Sequence, residues 1–236
     1  SEMCIRDSTM PAPIYLSPED HARISAAVGE AEMHSSGEIV TVLADRSDGY
    51  TDVALAWSVV AAFLALGALV LAPGFYMGLY EHLLADWGHE WTPRMIIGLA
   101  AGVAAIKFGA MLALQLWQPL KFWLVPGPVK TMRVHAHALR AFRIGAEQRT
   151  TGRTGILIYL SMREHRAEIV ADRAIAAKVD PEVWGEVMTA LLAPVREGRV
   201  ADGMVVAVGK VGAILARHFP RDDDDINELP DRLIEV

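Results

Sequence analysis

Cysteine is almost absent from this chain, because Cys4 is the only one in 236 residues. An internal disulfide, a thiolate metal cluster and a dithiol redox pair are therefore excluded, since each needs at least two cysteines. The motifs HExxH, GxxxxGK[ST], GxGxxG and GxSxG are also missing, and with them the usual signatures of several enzyme classes. A net charge of −7 argues against nucleic-acid binding, which needs a basic surface.

Charge is missing from two long stretches. Residues 53–80 hold no charged side chain, and residues 95–120 hold only Lys107. Val53–Ala72 and Met95–Trp117 are each long enough to cross a bilayer as a helix, which predicts a transmembrane hairpin over residues 53–125. Two buried core helices are the alternative interpretation, but such helices usually show a polar face, and the first stretch has none beyond Ser58.

The segments flanking the two spans predict an orientation. Aromatic residues gather at both ends of the hairpin, as in interfacial belts. Residues 121–149 carry a net charge of +5, whereas residues 81–94, between the spans, carry −2. The positive-inside rule then predicts a two-span protein of the inner (plasma) membrane with both termini in the cytoplasm.

Two groups of basic residues can contact the membrane. Lys107 lies near the middle of the second span, where a charge is costly; it either snorkels to the surface or belongs to a binding or proton site completed by another subunit. Lys130, Arg133, His137 and Arg140 follow helical spacing, opposite a predicted apolar stripe at Val129, Met132, Ala136, Leu139 and Phe142. Their basic face meets either anionic headgroups or water.

The rest of the chain predicts one α/β domain divided by the hairpin. A helix begins at Ser17-Pro18, where an N-cap residue precedes proline, and is followed by a β-branched strand at Glu38–Asp45. After the hairpin come a helix at about 128–148, strands at Thr154–Met162 and Arg166–Asp172, and two further helices. The predicted divisions are a leader at 1–10, in which Ser1–Thr9 is non-native and Met10 is the native start; the discontinuous domain at 11–52 plus 126–220; the hairpin at 53–125; and an acidic tail at 221–236.

Several segments resemble the TPM domain, a family of α/β domains. Gly155–Ser161 and Ala167–Ile175 resemble its paired strands, and Ser36–Val40 resembles its first strand. The likeness continues through Trp184, Pro194–Gly198, Asp202-Gly203, His218-Phe219-Pro220 and Asn227–Asp231. More narrowly, the chain is similar to uncharacterised bacterial membrane proteins in which a two-span hairpin interrupts this domain. The resemblance implies a TPM-like sheet-and-helix cytoplasmic domain interrupted by a two-helix transmembrane hairpin.

Two predicted functions follow. Plant thylakoid members of the wider family are described as acid phosphatases and photosystem repair factors, so the resemblance implies a metal-dependent phosphatase as one alternative. Many relatives, however, carry Asp-Asn-Gly where this chain has Arg153-Thr154-Gly155. The favoured prediction is therefore a non-catalytic binding or scaffold module at the membrane, with the lipid bilayer, an unidentified protein or a second copy as partner.

Metal chemistry, if present, is predicted at two carboxylates. Asp45 and Asp172 both lie at the carboxyl ends of predicted strands, where ligands of open α/β sheets tend to bind. Such a pair could hold Ca²⁺ or Mg²⁺, which prefer oxygen ligands. Each aspartate could instead cap the turn that follows it.

Overall fold

The computed structural model describes residues 15–84, 91–144, 154–221 and 232–236. The helices are α1 (Pro18–Glu32), α2 (Thr51–Leu71), α3 (Pro73–Leu84), α4 (Pro93–Leu114), α5 (Gln118–Leu124), α6 (Gly127–Phe142), α7 (Arg173–Ala176), α8 (Pro181–Arg196) and α9 (Val200–His218). The strands are β1 (Glu38–Ala44), β2 (Gly155–Ser161), β3 (Arg166–Ala171) and β4 (Leu233–Glu235). These elements form two compact units, one containing residues 49–126 and the other the rest of the described chain.

The larger unit, called the sheet unit below, is built on a four-stranded mixed sheet. The strand order is β3-β2-β1-β4; β1 is parallel to β2 and to β4, and β3 is antiparallel to β2. Strand β1 precedes the hairpin in sequence, whereas its two neighbours in the sheet follow it. The fold class is therefore α/β, and the sheet draws on both sides of the interrupted chain.

Helices cover both faces of this sheet because its central strands are apolar on both sides. Ile39 and Leu43 of β1, with Ile158 of β2, point into a core formed with α1, α8 and α9. The alternate residues of the same strands, with Tyr159 among them, point into a smaller core against α6. This alternation follows from the two-residue period of a strand. Every residue of β1 and β2 is buried.

Helices α1 and α9 approach each other closely at a glycine. A Cβ atom added to Gly212 of α9 would lie 2.5 Å from the Cβ atom of Ala31 in α1. Gly203, at the other end of α9, makes a similar approach to α8, since an added Cβ would lie 2.6 Å from the carbonyl oxygen of Leu191. The packing of α9 against its neighbours therefore depends on two residues without side chains.

The unit formed by residues 49–126, called the hairpin unit below, is built on the pair α2 and α4. Their mean hydropathy reaches 2.4 and 2.0, and each helix is long and apolar enough to cross a membrane. Gln115, just after α4, is 4% exposed, and its side-chain amide donates to the Ala54 carbonyl oxygen of α2 at 3.0 Å. At the same end, the Trp57 indole donates to the Leu124 carbonyl oxygen at 3.0 Å.

Two local predictions were wrong. Residues 233–235 belong to the sheet as β4 instead of to an acidic tail, because a three-residue strand leaves too short a pattern to recognise. In α6 the side chains packed on the sheet are Val134, Ala138 and Phe142, whereas Met132 of the predicted stripe is 61% exposed. The leader at 1–10 and the Asp222–Asp225 run lie outside the described residues.

Candidate functional site

Polar side chains gather at the end of the sheet where the parallel strands β1 and β2 finish. Two members belong to β2, two follow β1 and two lie in the turn between β2 and β3, while one precedes α1 and one is on α6. Ligands of open α/β sheets commonly bind at this edge. We call the group the carboxyl-edge cluster; its members are Tyr15, Asp45, Ser47, His137, Tyr159, Ser161, Arg163 and Glu164.

One half of the carboxyl-edge cluster is an ion pair centred on Asp45. The Arg163 Nε atom lies 2.9 and 3.0 Å from the two carboxylate oxygens of Asp45, and the Tyr15 hydroxyl donates to the same carboxylate. Burial acts to raise the pKa of Asp45, but the hydrogen bonds from Tyr15 and Arg163 outweigh it and hold that pKa below its ordinary value. Burial and the bond to Asp45 together raise the pKa of Tyr15 to about 12.

The other half is a network around Glu164, which is 2% exposed. One carboxylate oxygen accepts from the Ser47 backbone N–H at 2.9 Å, and the second accepts from the Ser161 hydroxyl. The Ser47 hydroxyl donates to Ser161 at 3.1 Å and lies 3.0 Å from the Tyr159 hydroxyl. Burial raises the pKa of Tyr159, so this hydroxyl keeps its proton.

The donors and acceptors of this network all run in one direction. Glu164 accepts a hydrogen bond at each carboxylate oxygen. The Ser161 hydroxyl therefore donates to Glu164 and accepts from the Ser47 hydroxyl. Ser47 has then used its own proton, and it must accept from Tyr159. The Nδ1 atom of His137 lies 2.9 Å from the Tyr159 hydroxyl and must therefore donate to it. The bonding pattern therefore places a proton on the Nδ1 atom of His137.

This arrangement is suited to holding the backbone more than to reacting. The network ties Ser47, in the segment that leads from β1 to α2, to β2 and to the turn after it. Each of its hydroxyls both donates and accepts within the network, and each Glu164 oxygen already accepts a bond. Within the described ranges, no group of three or more His, Cys, Asp or Glu side chains is arranged as metal ligands would be.

The structure does not bring Asp45 and Asp172 together. Asp45 is level with Arg163, beyond the end of β2, whereas Asp172 pairs with Gly155 at the start of β2. The seven residues of β2, at about 3.3 Å each, put more than about 20 Å between the two carboxylates. The prediction of a joint Ca²⁺ or Mg²⁺ site is therefore wrong. Because β3 runs antiparallel to β2, its carboxyl end lies at the opposite edge of the sheet.

Asp172 instead fastens two strand ends. Its side chain accepts from the Gly155 N–H at 3.1 Å, and its carbonyl oxygen accepts from Ile175 and Ala176 in the short helix α7. Asp172 is the N-cap residue of α7, but its side chain makes no capping bond to the turn that follows.

The basic side chains predicted on α6 do not form one uniform face. Arg133 pairs with Asp48 at 3.1 Å, and His137 points to Tyr159 as described above. Lys130 is half-buried and Arg140 is exposed. Lys107 is exposed on α4, so α2 does not cover it. Headgroup binding by Lys130, Arg133 and Arg140, and a binding or proton role for Lys107, remain predictions.

The sequence did not reveal the Glu164 network. Ser47 and Glu164, its most distant members, are 117 positions apart in the sequence, and no motif links them. One local signal was present, because Ser161 and Glu164 flank a tight turn between two strands. The sequence placed Glu164 in that turn, and only the pairing of β1 with β2 buries it.

Comparison with known proteins adds a likeness of fold. No family model matches the chain, and no curated protein matches it. The NMR structure of the BA42 protein from the psychrophilic bacterium Bizionia argentinensis is similar, with a TM-score of 0.53 and 18% sequence identity. The likeness covers 94% of this chain and 95% of that one. At such low identity it establishes a shared fold alone.

Proposed function

We propose that this chain is an integral membrane protein whose sheet unit is a TPM-like binding or scaffold module on the cytoplasmic side. One observation carries the membrane part of the proposal: the apolar side chains of the hairpin unit face outward. Phe63 and Leu64 in the middle of α2 are each 69% exposed, and Leu71 is 87% exposed. A core helix of a soluble protein would bury such residues.

The hairpin also places its polar groups as a lipid setting requires. Ser58 is fully buried and donates to the Ala54 carbonyl oxygen, which Gln115 also approaches. Buried polar side chains commonly join helices in this way inside membranes. Exposed Trp117 and Trp123 at one end of the pair suit a membrane interface.

Binding is favoured over catalysis because the carboxyl-edge cluster bonds to itself. Asp45 is engaged by Arg163 and Tyr15, and Glu164 by Ser47 and Ser161, so a metal ion would have to displace protein partners at either carboxylate. We therefore expect the purified chain not to hydrolyse a generic phosphomonoester with or without Ca²⁺ or Mg²⁺. Metal-dependent hydrolysis that Asp45→Asn removes would favour the phosphatase alternative.

The membrane setting is tested by a matched pair of double variants. Val60→Arg with Leu64→Arg changes two outward positions of α2, at roughly 2.5–3.5 kcal/mol each if they face lipid. Met132→Arg with Val206→Arg changes two positions of the sheet unit with similar exposure. We expect only the first pair to remove the chain from the carbonate-resistant membrane fraction. A wild-type chain that is absent from this fraction, or a Val60/Leu64 variant that stays in it as firmly as the wild type, would refute the membrane proposal.

The orientation needs a separate test. In a Cys4→Ser background, Asp86→Cys between the spans should react with an impermeant thiol reagent added outside intact cells. Arg221→Cys should react only after the cells are opened. The reverse pattern would place the sheet unit outside the cytoplasm.

A further inference from the structure

A cavity of about 410 Å³ opens between the residues just before α8 and the last turns of α9. Three side chains that carry or can gain a positive charge line it, namely Lys178, Arg217 and His218. Asp180 is the acidic side chain among the lining residues, so the two permanent cations outnumber it. From these groups we propose that the cavity binds a phosphate group, a role that is independent of the membrane proposal.

Lys178 is held in place at the rim of the cavity. Its ammonium lies 4.2 Å from the centre of the Phe219 ring and 3.5 Å from the His218 carbonyl oxygen. An ammonium has three donors, so these contacts leave others for a ligand. A cation that is already positioned loses less side-chain entropy when an anion arrives.

Arg217 supplies the directional part of the site. It is exposed in the last turn of α9, and none of the ion pairs of the described residues includes it or Lys178. A guanidinium offers paired N–H donors that match two phosphate oxygens, while lysine acts as a point charge. The two cations on one cavity therefore resemble a phosphate site more than a general basic surface.

The beginning of α8 lies beside the same cavity. Val183 lines the cavity, and the N-cap residue Asp180 makes no side-chain capping bond. The first turn of a helix carries a partial positive charge and attracts anions. The Asp180 carboxylate repels an anion in the cavity, so its removal should strengthen phosphate binding. This change therefore tests whether charge determines the affinity.

The experiment titrates the full-length chain in phosphatidylcholine nanodiscs with inorganic phosphate, following saturable binding by calorimetry at constant ionic strength. A second arm uses short-chain phosphatidic acid, and a third uses acetate. We expect Arg217→Gln to weaken phosphate binding by about tenfold or more, and Asp180→Asn to strengthen it. Lys210→Gln, an exposed cation of the same helix that does not line the cavity, should leave it unchanged.

The arms also identify the source of the phosphate group. Tighter binding of short-chain phosphatidic acid than of inorganic phosphate would assign a lipid headgroup, and the reverse would assign a free phosphate compound. Absence of saturable binding, equal binding of acetate, or an unchanged affinity in Arg217→Gln would overturn the proposal.

Discussion

The sheet unit and the hairpin unit distribute their side chains in opposite ways. In the sheet unit Leu157, Ile158 and Leu160 are buried, and the polar Glu164 is buried only within hydrogen bonds. In the hairpin unit large apolar residues such as Phe63 and Leu64 lie outside, and Ser58 and Gln115 lie inside. Each pattern lowers the free energy in one solvent only, which is why we propose water around the first unit and lipid around the second.

The largest expected effect concerns the continuity of the sheet unit. Removal of residues 11–52 takes away β1, which lies between β2 and β4, together with α1. Both strand pairings of β1 are lost, and the core that β1 and α1 form with α9 is opened. We therefore expect fragment 126–236 to show no cooperative thermal unfolding by circular dichroism.

The matched control is the same fragment with residues 11–52 joined to it through a flexible linker. This joined chain should recover a cooperative transition. A well-dispersed NMR spectrum from fragment 126–236 alone would show that the two halves of the sheet unit fold independently.

The next effect concerns the buried carboxylate. Glu164→Ala leaves the Ser47 N–H and the Ser161 hydroxyl without their acceptor, at a cost of about 3 kcal/mol for two such groups. Denaturant unfolding should show this loss. Glu186→Ala, at an exposed position of α8, should change the free energy of unfolding by less than about 0.5 kcal/mol. Equal effects at the two positions would mean that the Glu164 network does not stabilise the fold.

Two glycine substitutions in α9 should have smaller effects on the free energy of unfolding, and these effects should be of opposite sign. Gly212→Ala places a methyl group against Ala31 and should destabilise the sheet unit by about 1–3 kcal/mol. Gly209→Ala meets nothing within 4 Å and should stabilise it by about 0.5–1 kcal/mol through helix propensity. Denaturant midpoints measure both, and a stabilised Gly212→Ala would show that α1 and α9 do not pack as closely as described.

The hairpin unit gives the contrasting result for the same substitution. Gly98 and Gly102 have the GxxxG spacing that often lets membrane helices approach closely. A Cβ atom at either glycine would meet nothing within 4 Å, so these glycines do not pack on α2. Gly102→Ala should therefore leave the α2–α4 pairing intact, as measured by cross-linking between cysteines placed on the two helices. Loss of that cross-link would show that Gly102 does pack on α2.

The smallest expected effect is a pH dependence at Tyr15. The pKa of Tyr15 is raised in the folded chain to about 12, above an unfolded value of about 10. Its contribution to stability is therefore complete below about pH 10 and is lost as pH rises towards 12. Tyr15→Phe should remove this part of the alkaline loss, measured by denaturant unfolding across that range. A wild-type and variant profile of the same shape would contradict the prediction.

Local chemistry was enough to predict most elements of the sheet unit. Ser17 caps α1 through a capping box with Asp20, as Ser17-Pro18 predicted. The β-branched run Glu38–Asp45 is a strand to within one residue, because its apolar residues suit a strand buried on both faces. The segments α3, α5 and α7 were missed because they are short or continue an apolar stretch without a change of pattern.

The candidate site was predicted only in part. Asp45 was predicted at the carboxyl end of a strand and lies one residue beyond β1, but its partners Tyr15 and Arg163 are 30 and 118 positions away. The basic spacing on α6 was visible, whereas the contact of His137 with Tyr159 depends on how the helix is rotated on the sheet. One position of rotation turns a side chain by about 100°, and the hydrophobic pattern of α6 did not decide between the alternatives.

The sequence by itself determined which stretches are apolar, where helices begin and which runs become strands, because these properties depend on neighbours within a few residues. The tertiary structure alone decided that β3 runs antiparallel, which separates Asp172 from Asp45, and that β1 lies beside β2, which buries Glu164. Strand direction and partner choice depend on packing between residues far apart in the chain. No local pattern contains that information, so the identity of the site emerged only with the fold.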